Sequence, residues 1–406
     1  LSAVGDYAVG AVGTANSYIG IFIIMFSIIS SGMVSVMTQN IGAGRPGVAY
    51  QARQLGLLFN AVAGVLMAVF LFSGAGAILR MVGIADALYE PALIYLKIVG
   101  GGCILNAVIP IFSSYLRAFG YTKQPLYATI VGNIANFVMN AVFLFVLHKG
   151  VAGVAAATVI SKILNLCIVL YFSHKLISAK NSTERIANKT VLGQIVKVGL
   201  PSACETALYN VAMMLVIRFL NQMDAEGLNV TARSYTATIS NFSYCVGAAL
   251  AQANAIMTGW HIGAGELEEC DRGTKRAAFV GVCVAVCMET AIVLGSGFIM
   301  PLFTDNPEMT ALVRKLLAID IVLEIGRVTN LVFGQALKTS GDAVFPAVIA
   351  AVFMFVFAVG GTWLFGISMG LMAVGAYIGL ASDECVRAVG MVWRWKTGKW
   401  RTKKLV

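Results

Sequence analysis

Charge is scarce in this sequence. Asp, Glu, Lys and Arg make up 12% of its 406 residues, about half the share of an ordinary soluble domain. With 59% hydrophobic residues and a mean hydropathy of +0.83, that scarcity excludes a soluble globular protein and points to a polytopic membrane protein. The alternating segments of an outer-membrane barrel, about 10 residues each, are also missing, and the apolar runs are helix-length instead. No C-x-x-C occurs, and seven of the eight cysteines lie within apolar runs as small hydrophobes, so neither a disulfide framework nor a metal centre is expected. His148, His174 and His261 stand at span ends and read as interfacial residues rather than ligands. No G-x-x-x-x-G-K-[ST], H-E-x-x-H or G-x-S-x-G motif is present, which leaves a built-in ATPase and an intramembrane hydrolase unsupported. No basic stretch precedes the first apolar run, so the opening residues do not read as a secretory signal.

What is there is a series of eleven apolar spans, at roughly 7–38, 54–79, 91–118, 125–147, 151–174, 194–221, 230–258, 277–300, 311–338, 345–366 and 371–394. One long polar connection, within 175–193, divides the chain. The expected organisation is an all-α membrane protein with an N-terminal bundle over 1–175, a linker over 176–193, a C-terminal bundle over 194–394 and a basic tail over 395–406. The halves repeat. Ile41-Gly42-Ala43-Gly44 matches Ile262-Gly263-Ala264-Gly265, and Leu116, Gly120 and Pro125 match Leu337, Gly341 and Pro346, always 221 residues apart. A constant offset over such a distance indicates duplication into two pseudo-symmetric bundles of six helices. By that offset the first helix of the first bundle is expected to be missing from this sequence. The formal charge of +10 sits in short loops and the tail, where topology explains it better than nucleic acid does. It places the linker and the C-terminus on the cytoplasmic side of a multi-pass cell-membrane protein. Lys149, Arg314 and Lys315 break this pattern without overturning it.

The polar residues within the spans carry the chemistry. On a helix, Asp320, Glu324 and Arg327 fall within about 60° of one another, with Asn330 at the edge of the stripe. A charge at the bilayer centre costs at least about 2.5 kcal/mol, so such residues face a protein interior or a wet cavity and often mark a transport path. The bland alternative is a Glu324–Arg327 pair that only holds helices together. Pro201 opens a span with Glu205 and Tyr209 one turn apart; Glu205 is either a cation- or substrate-binding acid or a solvated interfacial residue. Glu289, with no charged neighbour in its own span, is a further proton-carrier candidate. The first bundle offers amides instead: Asn133, Asn136 and Asn140 on one face, and Asn106 beside Pro110. These suit a cavity wall or interhelical hydrogen bonds equally. Asp383, Glu384 and Arg387 read as a structural group near the cytoplasmic end of the last span.

Several motifs resemble those of a known family. Glu324-Ile-Gly326-Arg327-x-x-Asn330, then Leu337-x-x-x-Gly341-Asp342-x-x-Phe345-Pro346, resembles the tenth helix and following loop of multidrug and toxic compound extrusion (MATE) transporters. Gly199-Leu-Pro201-x-x-x-Glu205 is similar to that family's seventh helix, and Gln39-x-Ile41-Gly42-Ala43-Gly44-Arg45 to the end of its second. The resemblance spans nearly the whole chain. It implies two six-helix bundles around a central cavity, alternating access, and export of organic, often cationic, solutes against H⁺ or Na⁺. It places the seventh- and tenth-helix acids on Glu205 and Glu324, and the fifth-helix Asn and Asp positions on Asn136 and Asn140. The second of these is Asn here, which shifts the expected cation site to the second bundle.

The resulting expectation is a secondary antiporter with no cofactor beyond its coupling ion, H⁺ or Na⁺. Its partners would be small organic solutes and the bilayer, it would bind no nucleic acid, and it would act as a monomer. Glu324, Glu205, Asp320, Arg327 and Glu289 are the coupling candidates. Asn330, Tyr209, Asn133, Asn136, Asn140 and Asn106 are the cavity candidates. The rival reading is a flippase for a lipid-linked saccharide, which would call for a basic cavity. A channel or a scaffold is a third class, disfavoured by the paired polar stripes of a two-bundle repeat.

Overall fold

The computed structural model describes residues 6–81, 86–177, 184–224 and 226–406, so residues 178–183 of the linker lie outside the described residues. Among the described residues all regular structure is helical: α1 (Asp6–Gly42), α2 (Pro46–Met81), α3 (Asp86–Gly101), α4 (Cys103–Ala118), α5 (Lys123–Ala141), α6 (Gly150–Leu176), α7 (Asn188–Met223), α8 (Leu228–Ala264), α9 (Leu267–Ile299), α10 (Pro307–Ser340), α11 (Val344–Phe353) and α12 (Met372–Lys396). In a bilayer core no water satisfies the backbone, so every peptide group must be bonded within its own segment, as helices do. α3 and α4 form one rod bent by 41° beside Gly102. Counted that way, the helices overlay the eleven predicted spans. Six of them, and the bent pair as a seventh, are long and apolar enough to cross a membrane. α1, α8, α10 and α12 are not among them. Two of these, α10 and α12, hold the charges that make them poor lipid-facing helices.

The chain divides into two compact units, Leu1–Gly199 and Leu200–Val406, parted within α7. In the first, Leu71, Tyr95, Leu96, Cys103 and Ala155 are among the core side chains. Asn60 ties α2 to its neighbours by donating to the carbonyls of Phe26 (3.3 Å) and Ala107 (3.0 Å). In the second, α10 is central and packs against α8, α9 and α12. Small residues permit close contact between backbones. A Cβ at Gly326 would sit 2.7 Å from the Cys385 nitrogen, and one at Gly361 would sit 2.8 Å from the Gly379 Cα. On the lipid-facing side, Leu294 and Phe298 are 78% and 88% exposed.

The 221-residue repeat is visible in the backbone. Gly44 and Gly265 both take φ near +77° (75° and 79°), and Gly120 and Gly341 take 86° and 97°. Each glycine ends a helix with the same pair of bonds, in which its own N–H reaches the carbonyl three residues back and the next N–H reaches five back. Arg45 N donates to Asn40 O (2.8 Å) as Glu266 N does to His261 O (2.8 Å), and Tyr121 N donates to Leu116 O (3.0 Å) as Asp342 N does to Leu337 O (3.0 Å). These are Schellman turns, which need a residue in the left-handed region and so select glycine. Each bundle also ends its fifth-helix equivalent in a π-type stretch, Val142–Val146 in one and Met354–Ser368, interrupted at 360–361, in the other.

Pro201 is a correction to the sequence reading. It lies in the interior of α7, not in a first turn, and there it removes the bond that its N–H would make to the Lys197 carbonyl. At the opposite end of α7, Asp224 caps α8. Its carboxylate accepts from the backbone N–H groups of Leu228 (2.9 Å) and Asn229 (3.0 Å) and from the Asn229 amide. Slight burial pushes the Asp224 carboxyl upward, but these hydrogen bonds outweigh it and hold the group below its ordinary value. Asn229 in turn accepts from Ala373 N (3.1 Å), joining the starts of α8 and α12.

Candidate functional site

Four helices of the second unit turn polar faces inward. α7 contributes Glu205, Tyr209 and Met213, and α8 contributes Arg233, Ser240 and Tyr244. α10 contributes Asp320, Arg327, Asn330 and Lys338, and α12 contributes Tyr377, Asp383, Glu384 and Arg387. Most of these positions fall three, four, seven or eight residues apart, the spacing that keeps side chains on one helical face. They enclose two cavities of about 320 and 220 Å³. Tyr209, Tyr244, Arg327 and Glu384 line both, so these four residues form the partition between them.

Arg327 is the hub. Its Nη1 donates to Glu324 Oε1, its Nε lies 3.7 Å from Glu384 Oε1, and its guanidinium stands 5.8 Å from the centre of the Tyr244 ring. Glu384 also meets Arg387 Nη2 (2.9 Å) and accepts from Asn330 Nδ2 (3.0 Å). Arg387 holds Asp383 through three contacts of 2.7–3.1 Å. At the edge of the smaller cavity Glu205 pairs with Lys338 at 2.7 Å. The close approach at Gly326 makes this network possible: it lets the α10 backbone touch that of α12 beside Glu384, so Arg327 can reach across.

In and behind the cavity wall lie buried acids with unpaired oxygens. Glu324 and Glu289 are both 0% exposed, and Asp320 is 3% exposed. Glu324 Oε2 has no hydrogen-bond partner, and Asp320 Oδ2 and both oxygens of Glu289 have none of good geometry, with the hydroxyls of Ser240 and Ser243 as their polar neighbours. A buried acceptor left without a partner costs about 1–3 kcal/mol, and more if charged. Such groups call for an explanation, and an exchangeable proton or ion is one. Counting Glu205, Asp320, Glu324, Asp383 and Glu384 against Arg233, Arg327, Lys338 and Arg387, the cluster holds one carboxylate more than it has cations. Glu289 makes that two.

The stripe read on α10 is therefore assembled as expected, with two differences. Glu324 does not line either cavity; it is fully buried and pairs with Arg327, which lines both. Asp383, Glu384 and Arg387 are not a peripheral group, because Glu384 stands in the partition itself. Tyr209, Asn330, Glu205 and Asp320 line the cavities, and Glu289 does not. In the first unit, Asn140 Nδ2 donates to Asn136 Oδ1 (3.1 Å) and Asn136 Nδ2 to Ser161 Oγ (3.4 Å), while Asn133 is exposed. None of these lines either cavity, and neither does Asn106. Sequence reasoning passed over Lys162, whose Nζ donates to Asn106 Oδ1 at 2.6 Å. Among the described residues no carboxylate lies within ion-pair distance of it. A lone cation in an otherwise apolar stretch of α6 was the signal that could have found it. Arg233, Tyr244 and Tyr377 were also missed, for want of any cue tying α8 and α12 to the α10 stripe.

A family model, MatE, matches residues 1–142 and 201–364. An uncharacterized transporter of Bacillus subtilis, YisQ, is 32% identical over 99% of this chain and 90% of its own length. NorM of Thermotoga maritima, named as a probable multidrug resistance protein, is 19% identical over 98% of this chain and 87% of its own. A crystal structure of MATE in the straight conformation superposes with a TM-score of 0.87 at 21% identity, covering 99% of this chain and 91% of that one. At that identity the likeness concerns the fold.

Proposed function

This chain belongs to the MatE family of multi-pass membrane transporters, and on that premise we propose that it is an antiporter exporting organic cations against H⁺ or Na⁺. The observation that carries this reading is the set of buried, unpaired carboxylate oxygens in and behind the cavity wall. In the proposed cycle a proton or Na⁺ enters at Glu324 and Asp320 and neutralises charge there. Arg327 then loses its hold on Glu324 and leans towards Glu384, which reshapes the wall that Arg327 and Glu384 share with Tyr209 and Tyr244. An organic cation, drawn by the surplus carboxylate and stacked on the tyrosines, favours the opposite arrangement. Two ligands that prefer different arrangements of one element are coupled whether or not they touch. Lys162 supports assigning the ion to the second unit, since a fixed ammonium in the first disfavours a second cation nearby. The chain works as a monomer in this reading, with its basic loops and C-terminus cytoplasmic.

A flippase for a lipid-linked saccharide is less well supported, because a diphosphate needs more cations than acids around it, and the residues lining the two cavities together hold four of each. Reconstituted vesicles with a pH gradient or a Na⁺ gradient imposed separately test the proposal. One of the two gradients is expected to drive ethidium uphill. If neither moves it while both are intact, the antiport reading fails.

A further inference from the structure

Residues 394–404 carry six basic side chains and no acid. Topology explains their number but not their order, because a tail that merely marks the cytoplasmic side needs no fold. This one is folded. Gly398 turns left-handed (φ 69°), a short 3₁₀ turn follows, and the Trp400 ring stacks on Trp395 at 4.2 Å. Trp395 Nε1 donates to Asp271 Oδ1 at 2.7 Å, and Arg401 pairs with Glu268 at 2.6 Å, both acids lying at the start of α9. The chain then crosses the turn after α10 so closely that a Cβ on Gly341 would stand 2.3 Å from the Lys403 carbonyl, and Leu405 is buried. Arg394 closes on Asp342 at 2.7 Å.

The nearby acids are thereby used. Asp271 serves Lys275 and Trp395, Glu268 serves Arg401, and Asp342 serves Arg394. Lys396, Lys399, Lys403 and Lys404 are all exposed, with no carboxylate at ion-pair distance among the described residues. Between the tail and α9 lies a cavity of about 370 Å³, walled by the two indoles and edged by Lys275, Lys396 and Arg401 against the single acid Asp271. Earlier in the same last turns of α12, Trp393 lies against Phe345 of α11 and is 58% exposed, which suits a ring at the membrane–water boundary.

We propose that this cavity binds the phosphate of an anionic phospholipid headgroup. The recognition is charge on one side and depth on the other: a cluster of basic side chains directly after a membrane helix attracts anionic lipid, and the exposed indole marks the level at which a headgroup lies. A free phosphate would satisfy the lysines but not the indole level, so the lipid is the favoured source. The inference rests on the basic loops facing the cytoplasmic leaflet and is independent of what is transported. A lipid held here would join the tail, the start of α9 and the turn after α10.

The test is the thermal unfolding midpoint of the purified full chain in neutral detergent, titrated with short-chain phosphatidylglycerol, with phosphatidylcholine of the same chain length, or with inorganic phosphate. Phosphatidylglycerol alone is expected to raise the midpoint by several degrees. Lys275→Gln/Lys396→Gln is expected to need at least tenfold more of it, as is the single exposed change Lys396→Gln to a smaller degree. Lys189→Gln, in the first unit, is expected to respond as the unaltered chain does. An equal response to phosphatidylcholine would overturn the proposal, as would a full response to phosphate alone or an unchanged response in the double variant.

Discussion

Glu324→Gln is expected to lower ethidium efflux from cells at least tenfold while leaving a folded protein in the membrane. Glu324 is fully buried, gives one oxygen to Arg327 and has no donor for the other. Glutamine preserves the volume and keeps an oxygen for Arg327, but it cannot exchange a proton or hold Na⁺ as a carboxylate does. Removing one partner of a buried pair costs about 3–5 kcal/mol when the other charge is stranded. Here Arg327 retains Glu384 at 3.7 Å, so the loss of stability is expected to stay below that range, and a lower unfolding midpoint with retained expression would accompany the lost transport. A tenfold change corresponds to about 1.4 kcal/mol of coupling, within what one side chain can supply. Efflux at the level of the unaltered chain would remove Glu324 from the mechanism.

The second large effect is expected from a residue with no chemistry of its own. Gly326→Ala places a Cβ 2.7 Å from the Cys385 nitrogen and 2.8 Å from the Glu384 carbonyl carbon. Both neighbours are backbone, so neither can rotate away, and α10 and α12 must part. Overpacking of this kind costs about 1–3 kcal/mol, and it draws Glu384 away from Arg327, so efflux and the unfolding midpoint are expected to fall together. Gly334→Ala supplies the stability control on the same helix: its Cβ would meet only Asn330 Oδ1, at 3.9 Å, and a near-normal unfolding midpoint is expected. An equal fall of the midpoint in both variants would show that α10 tolerates no added methyl group, and the specific role given to the Gly326 crossing would be lost.

Gly326 also shows where the sequence stops being informative. Periodicity put Asp320, Glu324, Arg327 and Asn330 on one face of α10, and the structure gathers them. The face alone does not say which helix lies opposite. That is decided by the backbone contact at Gly326, and a glycine within a helix gives no such sign in the sequence. Glu384 and Arg387 were therefore read as an end-of-span pair, although their own spacing with Tyr377, Leu380 and Met391 marks an inward face. The repeat was easier to read because its markers, Gly44 with Gly265 and Gly120 with Gly341, are helix-ending glycines whose positive φ selects the residue type. Pro201 misled for the converse reason. Proline is commonest in a first turn, but α7 begins at Asn188, within the stretch read as linker, and so runs several turns before Pro201.

An organic cation and the coupling ion compete, in the proposed cycle, through Arg327 and the acids around it. Binding linkage then requires that one expel the other. The most direct measurement is the release of H⁺ or Na⁺ when ethidium binds the purified chain in weakly buffered detergent. Release on the order of one cation per molecule bound is expected, and none in Glu324→Gln. Binding without release in the unaltered chain, or the same release in the variant, would contradict this competition.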